Sequence, residues 1–69
     1  MTTMAIEVNG SPVVVADGTT VATLVTEWCA SPDGIAVARN REVVPRSAWP
    51  STGLRPDDRV EIVSAAAGG

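Results

Sequence analysis

Two features of this sequence could do chemistry: a single thiol, Cys29, and the pair Gly68-Gly69 that closes it behind three alanines, Ala65 to Ala67. A thiol acts as a nucleophile when a base or a metal helps it. With no His and one Cys, the chain cannot assemble a zinc site, a Ser-His pair or a Cys-His pair, so neither a metal ligand nor a catalytic residue is expected. One Cys cannot close an internal disulfide either. Cys29 follows an apolar helical stripe, where a lone Cys is more often a small buried hydrophobe. The Gly-Gly end differs. A tail without side-chain bulk can thread a narrow channel and hold a terminal carboxylate against an activated phosphate, with backbone angles other residues cannot adopt. The same residues can equally be a frayed end, because small residues and disorder are common at termini.

Composition narrows what can position that tail. Sixty-nine residues make one small domain, and a chain of this size leaves little room for a deep catalytic cleft. Fourteen Val and Ile stand against two Leu, two Trp and no Phe or Tyr, a balance that favours strand. Five Arg, no Lys and eight acids give a net charge of −3, the wrong sign for phosphate neutralisation, so no nucleic acid is expected as partner. The opening Met1-Thr2-Thr3-Met4-Ala5 has no basic region, and no stretch approaches the roughly 20 apolar residues that cross a bilayer. No membrane and a cytoplasmic location are expected.

Ala5 to Val8 and Val13 to Val15 flank Asn9-Gly10, the pair that suits a two-residue type I′ hairpin. Val8 then faces Ser11 and Ile6 faces Val13, which puts Ile6, Val8, Val13 and Val15 on one core face. Pro12 has no N–H, so the second strand should be an edge. Thr19 or Thr20 can cap a helix over Val21 to Cys29, whose Val21, Leu24, Val25 and Trp28 fall at i, i+3, i+4 and i+7. Strands are expected at Ile35 to Ala38, Glu42 to Val44 and Arg59 to Ser64, with a packed loop and a turn of 3₁₀ helix near Ser47 to Trp49. The pattern is α+β, with one helix across one face of a mixed sheet of four to five strands. Residues 1–64 form the domain and residues 65–69 a flexible tail.

These residues carry a resemblance. Val8-Asn9-Gly10, Ile35 to Trp49 with its Val43-Val44-Pro45-Arg46-Ser47-Ala48-Trp49 segment, Leu54 to Val63 and Gly68-Gly69 together resemble the sulfur carrier of thiamine biosynthesis, the ThiS family. The resemblance implies a ubiquitin-like β-grasp in which the first and last strands pair in the middle of the sheet. It implies that the carboxylate of Gly69 is adenylated by an E1-like adenylating enzyme using ATP and converted to a thiocarboxylate, with Gly68 giving access. Thiazole synthase then takes the sulfur for the thiazole ring. On that reading the protein is a carrier and not an enzyme, a monomer when free, with no bound cofactor; ATP belongs to the activating partner. One departure stands out: Asp57-Asp58 occupies the place where the family usually has Gly-Asp, which leaves the turn type open.

Other readings compete. A molybdopterin-type sulfur carrier shares the fold and the Gly-Gly end but is usually longer and lacks the Val-Val-Pro-Arg segment. A ubiquitin-like protein modifier and a non-covalent binding module are the other two. Trp28 and Trp49 are expected in the core. Val14 and Val63 should point away from the helix, onto a sheet face that a single helix leaves bare, and such a patch more often marks an interface than chance. The scattered arginines read as solvated surface, with a minority reading in which Arg39, Arg41 or Arg46 orients a docking surface.

Overall fold

A computed structural model describes residues 2–29, 31 and 33–64. Five strands, β1 (Thr3–Val8), β2 (Ser11–Ala16), β3 (Ile35–Arg39), β4 (Glu42–Val44) and β5 (Arg59–Ser64), form one mixed sheet in the order β2-β1-β5-β3-β4. The β1–β2 hairpin has the expected register, Ile6 opposite Val13 and Val8 opposite Ser11. β1 begins earlier than Ala5, at Thr3, and Met4 supplies its first core side chain. In a two-residue hairpin Pro12 takes a non-hydrogen-bonded position, so its missing donor falls on the outer edge of β2, where no strand needs it. The last strand lies between β1, to which it is parallel, and β3, to which it is antiparallel.

The helix α1 (Val21–Trp28) starts where Thr20 Oγ1 accepts the N–H of Thr23 at 3.2 Å. Eight residues rich in Val and Thr have little intrinsic helicity, so this helix depends on what it buries. Val21, Leu24 and Val25 are almost inaccessible and join Met4, Ile6, Val8, Val15, Val37, Val44, Val60 and Ile62 in one core. Trp28 corrects the expectation: although it falls on the same stripe, it is 46% exposed. The backbone turns extended at Cys29, and it is Cys29, half-buried, that packs against the core at that end. Periodicity finds the face of a helix but not how far along its axis the opposing surface reaches. Trp49, in the 3₁₀ segment Arg46–Ser51, is 5% exposed and donates its Nε1–H to the carbonyl of Val44 at 3.0 Å.

The turn before β5 is also defined. The N–H of Asp58 bonds the carbonyl of Arg55 at 3.1 Å, Pro56 takes the second position, and Asp57 has φ 69°, which is a type II turn with Asp57 where Gly is usual. Asp tolerates the left-handed region better than most residues, which is why the departure leaves the fold unchanged. Replacing Asp57 with Val is expected to cost about 1–2 kcal/mol, because a β-branched residue has no comfortable left-handed conformation. Asp57→Gly should be neutral or stabilising, and urea melts of the two variants check the order.

Candidate functional site

Whatever residues 65–69 present, β5 aims it. Gly68, Gly69 and the expected tail lie outside the described residues, so the site is described as far as Ser64, where β5 ends opposite Ile35 of β3. Hydrogen bonds from both sides hold this strand. The side chain of Asn9 lies along Ile62, its Oδ1 accepting the Ile62 N–H at 2.9 Å and its Nδ2 donating to the Ile62 carbonyl at 3.2 Å. Its own N–H bonds the carbonyl of Val60. On the other flank Asn40 repeats the device: its N–H donates to the Arg59 carbonyl at 2.7 Å and its Oδ1 accepts the Arg59 N–H at 2.9 Å. Each Asn is the first residue of a two-residue hairpin turn, with φ 52° and 51°. Residue type at these turns signals left-handed backbone, and nothing in the local pattern says that the side chain also clasps a strand 53 residues away in one case and 19 in the other.

Below the clasp a buried carboxylate fixes the start of β5. Asp58, 8% exposed, accepts from Asn40 Nδ2 at 3.0 Å and from the backbone N–H of Arg55 at 2.9 Å, with Arg39 Nη1 at 3.9 Å. Arg39 also donates to the carbonyl of Gly53 at 3.0 Å. Arg39 is therefore a structural residue, not one that reaches for a partner. Arg46 stands 5.9 Å over the Trp49 ring and 3.6 Å from Asp33. Of the three arginines that could orient a partner, Arg41 alone has neither an ion pair nor a side-chain hydrogen bond among the described residues.

The face of the sheet away from α1 is bare. Val14, Val43 and Val63 are 68, 77 and 56% exposed. Register puts Val63 beside Ala36, and Ala38 between Glu61 and Val43, so a small-residue apolar patch covers the β5-β3-β4 half next to the strand end that leads to the tail. Cys29 sits elsewhere, at the end of α1, half-buried. Among the described residues there is no group of three or more His, Cys, Asp or Glu placed to hold a metal, and no helix is long and apolar enough to cross a membrane. The arrangement can present a chain end rigidly beside a bare apolar surface.

The model of the ThiS family matches residues 2–69. A protein named thiazole synthase from Magnetococcus marinus is 36% identical over 66 residues, which are 96% of this chain and 20% of that protein. The chain thus spans about one fifth of the length of the curated relative it matches. The crystal structure of a thiamine biosynthesis protein, ThiS from Geobacter metallireducens, is similar with a TM-score of 0.82 at 32% identity, covering 96% of this chain and all of that one.

Proposed function

Since the chain belongs to the ThiS family, we propose that it is a sulfur carrier of thiamine biosynthesis whose Gly69 carboxylate is the group that is activated and loaded. The carboxylate oxygen attacks the α-phosphorus of ATP in the site of an E1-like adenylating enzyme and expels pyrophosphate, giving an acyl-adenylate. A sulfide equivalent then attacks the acyl carbon, AMP leaves, and one carboxylate oxygen has been replaced by sulfur. A carboxylate is a poor electrophile until its oxygen becomes part of a good leaving group, and the stabilisation of the transferring phosphate belongs to the partner. Gly68 gives the tail passage into that site. The thiocarboxylate passes its sulfur to thiazole synthase, a partner suggested by the relative of that name. The protein is thus a co-substrate of other enzymes.

The observation that carries the reading is the family match along essentially the whole chain, with Gly68-Gly69 following β5. The clasped strand supports it, since a tail rooted in a rigid strand loses less freedom on entering a channel than one rooted in a loop. Intact-mass spectrometry after incubation with activating enzyme, ATP and a sulfur source tests it. The expected result is exchange of one oxygen for sulfur, placed at Gly69 by fragmentation and unchanged in Cys29→Ala. A mass change that maps to Cys29 would overturn it in favour of a side-chain carrier.

A further inference from the structure

We propose that Arg41 is a docking residue, held in strained backbone so that its guanidinium stands at the rim of the bare sheet face and pairs with a carboxylate of a thiazole synthase. The proposal rests on the carrier reading above and adds to it a residue and a surface. The chain builds the same turn twice. Asn9-Gly10 has φ 52° and 84°, and Asn40-Arg41 has φ 51° and 72°. The second position of this turn favours Gly because any Cβ there crowds the following carbonyl. Gly10 avoids the crowding and Arg41 accepts it.

Nothing inside the fold offsets that strain. Arg39 is engaged by Asp58 and Gly53, Arg46 by Asp33 and Trp49, and Arg59 by Glu7 at 3.8 Å. Arg41 has no such contact among the described residues. Arg55 lacks an ion pair as well, but its backbone is ordinary and it borders Thr52 and Gly53, off the bare face. A backbone outlier without an internal return is evidence of use elsewhere.

The surroundings of Arg41 say what that use is. With Glu7, Gly10, Arg59 and Glu61 it lines a groove of about 260 Å³. Small-molecule pockets run from about 300 to 1,000 Å³ and are mainly apolar, so this groove suits a single partner side chain. Two residues on stands Val43, the most exposed of the large apolar residues, with Ala38, Ala36 and Val63 continuing the patch towards the tail. An apolar patch with an Arg at its rim has the anatomy of a protein interface. A partner must then bring an apolar surface flanked by an acidic side chain. The relative in which a matching segment occupies one fifth of a protein named thiazole synthase makes that enzyme the occupant.

The experiment is calorimetric titration of the full chain with its cognate thiazole synthase, alongside thermal melts. Arg41→Gly should raise the melting midpoint by about 3–6 °C as the strain is released and weaken binding about tenfold. Arg41→Ala keeps the strained backbone without the charge, so it should weaken binding equally with no rise in midpoint. Arg41→Lys should retain most of the affinity, and the difference in affinity between the parent and the Arg41→Ala variant should shrink with added salt. Unchanged binding of the Arg41→Gly protein, or a loss confined to the activating enzyme, overturns the assignment while sulfur loading of the parent leaves the carrier reading standing. A parent protein that neither acquires sulfur nor binds thiazole synthase overturns both.

Discussion

Deleting Gly69 alone is expected to abolish ATP-dependent loading while leaving the circular dichroism spectrum and the melting curve of the domain unchanged. The two halves of that result have separate causes. β5 ends at Ser64, so the deletion touches none of the hydrogen bonds that hold the strand. The chemistry is lost because the remaining carboxylate, now on Gly68, falls short of the activated phosphate by up to about 3.5 Å, and reacting atoms must approach to about that same distance to react. A loss of this kind is a matter of several orders of magnitude in rate, visible as no detectable pyrophosphate release under conditions that load the parent fully. Loading of the truncated protein at the parental rate would exclude Gly69 as the reacting residue.

The largest effect on stability is expected at Asp58. Asp58→Ala leaves the Arg55 N–H and the Asn40 amide without their acceptor and removes the carboxylate facing Arg39. Hydrogen bonds to a charged group contribute about 1.5–3 kcal/mol each, and orphaned buried donors add to the cost, so a loss of about 2–4 kcal/mol is expected. A core of this size supplies only about 3–5 kcal/mol in total. The variant should be substantially unfolded at 37 °C by near-ultraviolet circular dichroism, and Asp58→Asn, which keeps one acceptor, should fall between it and the parent. A denaturation midpoint for Asp58→Ala equal to the parent's would show that the three donors find other partners.

What can be read from residues alone divides by range. Asn9-Gly10 announces its hairpin because the turn's backbone angles are a local property of those two residues, and the Val21, Leu24, Val25 stripe announces a buried helical face for the same reason. The bare face with Val14 and Val63 follows from alternation along the strands once only one helix is available to cover a sheet. The placement of β5 between β1 and β3 comes with the family resemblance and not with the pattern. Long-range contacts have no such local signature. Asn9 and Asn40 read as turn residues and no more, yet their amides clasp the last strand. Asp58 reads as one charge among eight, and Trp28 as core, because burial depends on where the opposing surface ends. Arg41 is one of three arginines that could meet a partner, and only the backbone angle and the engagements of the other two separate it from them.

The position of β5 also sets an order of assembly. Without that strand the sheet falls into two hairpins, β1–β2 and β3–β4, that share no ladder with each other. Each hairpin closes over a two-residue loop, whereas joining β1 to β5 pairs Glu7 with Arg59 across most of the chain. Local closure is fast and long loops close slowly, so the hairpins form early and insertion of β5 between them is the committing event. A nascent chain therefore holds its two halves apart until its final strand is available, and the same insertion that completes the core directs the following residues outward. The chain end becomes deliverable to a partner only when the domain behind it has folded.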